Sequence, residues 1–159
     1  MREIALDIET TGLYVAEGHR ILEVTAVELE NHRPTGREYH VLVNPERDIP
    51  AEVSAIHHIT NENVADAPVF ATVAKELRDF IGYAPIVITC RTDKETGYTL
   101  DIAFMNMEME KAGFSAFPNA VWINVRRWSE AMFGHDGAKL DAVLDHYGID
   151  RSERDEQGH

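Results

Sequence analysis

Cys90 is the only cysteine in this 159-residue chain, which excludes an intrachain disulfide and a thiolate metal cluster. Any bound metal would rely on oxygen or imidazole donors. No stretch approaches the roughly 20 consecutive apolar residues of a membrane-spanning helix, so no membrane role is expected. Basic residues are scarce: 15 Lys and Arg against 28 Asp and Glu give a formal charge of −13. That deficit disfavours sequence-independent wrapping of nucleic acid, which relies on many cationic contacts to phosphate. It leaves open a protein that grips its target locally, because bound divalent cations invert the potential at a site. There is no internal repeat and no low-complexity tract. The first residues enter a strand pattern at once, leaving no room for a leader peptide, and the cytoplasm is the expected compartment.

Hydrophobic residues at 44% and charged residues at 27% are ordinary for a globular protein, and the length fits one domain. Residues 2 to 8 read as a short strand followed by a turn at Thr10-Thr11-Gly12. Residues 20 to 29 and 38 to 43 read as an antiparallel hairpin, with Pro34-Thr35-Gly36 as the separating turn. Pro50 opens a short helix over 51 to 58, and Thr60 to Asn63 reads as a loop. Val69, Val73, Leu77, Phe80 and Ile81 describe an amphipathic helix over 68 to 82, and Ile86 to Ile88 a buried strand. A polar stretch from Arg91 to Tyr98 precedes a helix from Leu100 to Lys111, with Asp101 in its first turn. Residues 120 to 124 predict a strand, 126 to 133 and 139 to 147 two further helices. The order implies an α/β fold with a mixed sheet covered by helices.

Asp7 and Glu9 stand two residues apart on the first strand, so both side chains project from one face, with Ala5, Leu6 and Ile8 expected to pack around them. Close carboxylates repel and raise one another's pKa unless a cation compensates, and such oxygen-rich pairs suit Mg²⁺ or Mn²⁺. An isolated Asp-x-Glu is a weak signal. The histidines are scattered; only His57 and His58 are adjacent, and neighbouring side chains diverge. Trp122, Trp128, Phe114, Phe117 and Phe133 read as core rather than as base-stacking surfaces. Arg126, Arg127, Arg151 and Arg154 read as solvated partners of nearby acids.

The longer run Leu6-Asp7-Ile8-Glu9-Thr10-Thr11-Gly12-Leu13 resembles the first motif of the DEDD exonuclease superfamily, and within it the family of proofreading epsilon subunits of bacterial DNA polymerase III. Gly18 to Val24, Ala26 to Glu28, Arg33 to Gly36 and Tyr39 to Val41 resemble the hairpin that follows that motif. His57-His58-Ile59-Thr60 is similar to the family's His-Gly-Ile element, and Leu100-Asp101-Ile102-Ala103-Phe104 to its second acidic motif. Lys139 to Ala142 and Tyr147 to Asp150 resemble the approach to its third.

The resemblance implies a ribonuclease H-like fold and a 3′-to-5′ exonuclease acting on single-stranded or frayed DNA ends. It implies two divalent cations, Mg²⁺ or Mn²⁺, held by Asp7, Glu9 and Asp101, which activate a water and stabilise the leaving 3′ oxygen. Thr10, Thr11, Gly12, Leu13 and His57 would receive the terminal nucleotide, and DNA polymerase III subunits are the implied partners. Past Asp150 the family pattern continues to a histidine general base and then a fourth aspartate. His159 stands at the histidine's place, and the closing aspartate and its helix are expected to be missing from a single domain over 1 to 159. Two further departures concern the site. Thr89 to Leu100 replaces a shorter His-Asn-containing turn, which would displace Asp101 from Asp7 and Glu9, and Asn124 stands where an acid is often found. A noncatalytic module that binds a polymerase or nucleic acid, and an RNA-directed exonuclease of the same superfamily, stay open as alternatives.

Overall fold

The structure is a computed structural model and describes residues 1–90, 92–93, 95–118 and 121–150. Five strands form one sheet in the order β3-β2-β1-β4-β5. They are β1 (Arg2–Thr10), β2 (Ile21–Glu30), β3 (Arg33–Leu42), β4 (Ile86–Ile88) and β5 (Trp122–Asn124). The first three are antiparallel neighbours, whereas β4 pairs parallel with both β1 and β5. The expected mixed sheet is therefore present. Parallel pairs need long crossovers, and these carry the helices α1 (Ala51–His57), α2 (Asn61–Val64), α3 (Phe70–Ile81) and α4 (Leu100–Lys111). After β5 come α5 (Val125–Gly137), interrupted at Gly134 with φ 72°, and α6 (Leu140–His146). No helix among the described residues is long and apolar enough to cross a membrane.

Strand alternation decides what β1 buries. Ile4, Leu6 and Ile8 enter the core, where Phe70, Val73, Ala74, Leu77 and Ile81 of α3 and Phe104, Met105 and Met109 of α4 meet them. Leu6 and Ile8 thus lie across the strand from Asp7 and Glu9 and do not surround them, because successive side chains point to opposite faces. The hairpin turn also differs from expectation. It falls at Asn31-His32, both at positive φ (52° and 65°), as the tightest right-twisted hairpin turns require. Pro34, Thr35 and Gly36 lie inside β3, where a proline is tolerated because β3 is an edge strand. Thr60 to Asn63 is not a plain loop: Thr60 and Asn63 form a reciprocal capping box that starts α2. Among the aromatics, Phe117 is buried and Trp122 packs partly against the core, but Trp128 is exposed.

One buried ion pair fixes how α4 sits. Thr11 and Arg20 close the segment after β1, with the Thr11 amide donating to the Arg20 carbonyl at 2.9 Å and the Arg20 amide donating to Thr11 Oγ1 at 3.0 Å. The Arg20 guanidinium then donates through Nε and Nη2 to both oxygens of Glu108, at 2.5 and 2.9 Å. Glu108 is only 2% exposed, and this pairing holds the Arg20 pKa above its ordinary value. Glu108 and Asp101 are seven residues apart on α4, nearly two full turns, so one face of the helix carries both. Removing one member of a buried pair strands the other's charge. Glu108→Ala is expected to lower the unfolding free energy in urea by about 3 kcal/mol. Glu130→Ala, which breaks the i,i+4 pair with Arg126, should cost at most about 0.5 kcal/mol. Equal losses from the two substitutions would remove the special role given to Glu108.

Candidate active site

Asp7 is exposed and Glu9 half-buried at the end of β1, opposite Thr25 and Glu23 of β2. Asp101, in the first turn of α4, is 4% exposed. Its pKa is pushed up to about 7, first by burial, then by the charge of Asp7 and, more weakly, that of Glu9, against a hydrogen bond from the Cys90 thiol that lowers it. The Cys90 thiol is itself pushed up to about 12 by burial and by Asp101, so it stays a protonated donor. The charges of Asp7 and Glu9 thus reach Asp101 despite the long connection before it. Among the described residues, no three His, Cys, Asp or Glu side chains are already gathered as a metal cage. Charges act over longer distances than the ~2 Å bonds of such a cage, so the acids share a field. A donor set of carboxylate oxygens in mutual repulsion fits a hard divalent cation.

The turn after β1 is held from several sides. Thr10 Oγ1 donates to the Gly12 carbonyl at 2.7 Å. Thr11 is fully buried, its hydroxyl 3.1 Å from His19 Nδ1. A Cβ at Gly12 would overlap the His19 ring, so glycine here lets the ring close over the turn. Leu13 is exposed. His57 is buried, and its Nδ1 accepts the Ile59 amide hydrogen at 3.1 Å, which puts the ring proton on Nε2. His58 is exposed, so the adjacent pair diverges as expected. His159 lies outside the described residues, as does the approach to it from Arg151.

Several contacts around the site escaped the sequence reading. Asn124 donates its amide to the Cys90 carbonyl at 2.8 Å and to Thr92 Oγ1 at 3.2 Å, while its Oδ1 accepts the Arg126 amide at 3.1 Å. An acid there could accept but not donate. Arg20, His19 and Cys90 likewise act through contacts between segments far apart in sequence. The one signal for Glu108 was its seven-residue spacing from Asp101.

The exonuclease family model matches residues 4–159. The chain is 35% identical to the DNA polymerase III subunit epsilon of Rickettsia felis, covering 99% of this chain and 67% of that protein. It is also 35% identical to the epsilon subunit of Escherichia coli, over 96% of this chain and 63% of the relative. The chain thus spans about two thirds of the length of these relatives. Among solved structures, the nuclease domain of 3′hExo, a DEDDh family member bound to rAMP, superposes with TM-score 0.74 at 22% identity. The match covers 99% of this chain and 84% of that one. An exonuclease I complex with SSB-Ct gives TM-score 0.77 at 14% identity, over 96% and 37%. These two likenesses establish the fold, in keeping with the ribonuclease H-like expectation.

Asp101 gives the site a pH signature. Its folded-state pKa of about 7 lies above the ordinary 3.8, so between these values the folded chain holds a proton that the unfolded chain has lost. That contribution is full at low pH and is lost as pH rises through about 7. Asn at 101 cannot ionise. Asp101→Asn should raise the metal-free melting temperature by roughly 5 °C at about pH 8 and change it little near pH 4, read by thermal scans in EDTA. A variant no more stable than the unmutated chain at the higher pH would refute the repulsion.

Proposed function

The chain belongs to the exonuclease family, and from that premise we propose how it works as a 3′-to-5′ exonuclease: Asp7, Glu9 and Asp101 hold two divalent cations, Mg²⁺ or Mn²⁺, at a DNA 3′ end. The observation that carries the reading is the convergence of charge on Asp101 from both acids of β1. When bound, the cations would supply an activated water and charge stabilisation for the departing 3′ oxygen. The chain's own residues supply position. The Arg20–Glu108 pair sets the rotation of α4 and so the aim of Asp101. The braced turn Thr10 to Leu13 receives the terminal nucleotide, and His57, its proton fixed on Nε2, lies beside it as a donor. His159 takes the general-base role. The 159 residues act as one exonuclease domain.

DNA as substrate is supported by relatives named as DNA polymerase III epsilon subunits at 35% identity. An RNA-recognising 3′-exonuclease among the solved structures is only 20% identical and bears on the fold alone. Proofreading in association with polymerase III subunits, in the cytoplasm, is supported by the same relatives. The test is a 5′-labelled single-stranded DNA incubated with Mn²⁺. Stepwise shortening from the 3′ end is expected, abolished by EDTA and slowed roughly a thousand-fold or more by Asp7→Ala. A matched RNA oligonucleotide shortened faster than the DNA would overturn the substrate assignment. DNA bound without shortening would point instead to a noncatalytic module.

A further inference from the structure

The face of the sheet that carries Asp7 and Glu9 continues beyond β1. Residues paired across antiparallel strands share a face, and the register sets Asp7 opposite Thr25 of β2, which in turn stands opposite His40 of β3. The next row runs from Glu9 through Glu23 to Leu42. Directly opposed Cβ atoms lie about 4.5 to 5.5 Å apart, so a further carboxylate, that of Glu23, stands beside Glu9. The cation site proposed above does not use it. Glu23 is instead engaged on its other side: its Oε1 accepts a hydrogen bond from His40 Nε2 at 2.6 Å. An ionised carboxylate can only accept, so Nε2 carries the proton, which a neutral ring is able to supply.

His40 lies on β3, across β2 from β1, so the bond draws the Glu23 carboxylate away from the strand of Asp7 and Glu9. Glu23 is 19% and His40 54% exposed; the acid is shielded, and the ring that restrains it stands at the surface. A released Glu23 would have two courses. Without a cation it repels Glu9, because like charges directly opposite one another destabilise a strand pair. With a cation at Glu9 it becomes one more oxygen donor within a side chain's swing, and hard divalent cations take about six oxygen ligands or more. An extra protein ligand tightens the hold on the ion. It also fills a position that hydrolysis needs for a water or a substrate oxygen.

Resting on the exonuclease reading above, we infer that His40 is a positioning residue for the cation site: it holds Glu23 out of the coordination of an ion at Glu9 and so keeps that ion open to water and to the DNA end. Glu23 is the spare ligand and His40 its restraint. The effect requires no contact of His40 with metal or DNA, only the hydrogen bond between β3 and β2.

Three measurements on the full 159-residue chain test this: calorimetric titration of Mn²⁺ without DNA, thermal melting in EDTA, and steady-state cleavage of single-stranded DNA in Mn²⁺. His40→Ala should bind Mn²⁺ about ten-fold more tightly while kcat falls about ten-fold, the range over which groups behind a metal's ligands act. Its melting temperature in EDTA should drop by roughly 3 °C, from the freed repulsion between Glu23 and Glu9. His40→Gln keeps an N–H donor and should behave as the unmutated chain. Adding Glu23→Gln to His40→Ala removes the competing charge, and should return Mn²⁺ affinity, kcat and melting to their unmutated values. Mn²⁺ affinity or kcat unchanged in His40→Ala overturns the inference, and so do effects of His40→Ala that persist in the double variant, which is also the control should His40→Ala alone fold poorly. A chain that binds Mn²⁺ but shortens no DNA sinks the exonuclease reading alone, and the calorimetry still decides the role of His40. Absence of Mn²⁺ binding by the unmutated chain removes the cation site and this inference together.

Discussion

Helix α4 carries two buried acids on one face, and the fold treats them in opposite ways. Glu108 receives the fork of Arg20, so its charge is neutralised by a partner built into the chain. Asp101, almost two turns earlier, meets a thiol, the field of Asp7 and the field of Glu9. A thiol proton is a weak donor, too weak to offset burial together with two negative neighbours. The chain thus supplies a cation to Glu108, whereas the described groups that act on Asp101 are a thiol and two carboxylates. The candidate site depends on that contrast, because the paired acid orients the helix that presents Asp101.

The arrangement sets two effects against each other. Burying a carboxylate next to like charge costs stability, as the displacement of the Asp101 pKa to about 7 records. Burying Ile4, Leu6 and Ile8 on the other side of β1, the strand that supplies the like charge, against α3 and α4, returns roughly 2 kcal/mol for each large side chain. Period-two alternation lets one strand do both: every second residue anchors it, and the residues between are available to be strained.

Much of this was legible in the sequence. Alternation exposed β1, three- and four-residue spacing exposed α3, and the acidic pair with its Thr-Thr-Gly turn marked the candidate site. The errors have physical causes. Pro34-Thr35-Gly36 carries strong turn composition, yet it is absorbed by an edge strand, because only the backbone angles of Asn31 and His32 give the tight reversal. Leu6 and Ile8 were placed around the acids because adjacency in sequence was read as adjacency in space. The contacts that orient Asp101, from Arg20 to Glu108 and from Cys90 to Asp101, join segments up to 88 residues apart, and no local pattern encodes such pairings.

The departures from the family pattern bear on whether the site has decayed. Substitution by drift in a site no longer used leaves polar groups stranded, since nothing selects their partners together. The polar groups around the Asn124 side chain are matched. The longer connection brings Thr92 and the Cys90 carbonyl to β5, and the residue waiting there is an amide, which can donate to both while capping α5 with its oxygen. A carboxylate at 124 would repel the Cys90 carbonyl and add a further charge near Asp101. Asparagine at 124 and the segment bridged between Thr92 and Thr99 therefore satisfy one another, and Tyr98 beside that bridge donates to the Leu13 carbonyl and accepts the Val15 amide. A replacement whose parts satisfy one another is what remodelling of a working site requires, and loss of function has no need of it.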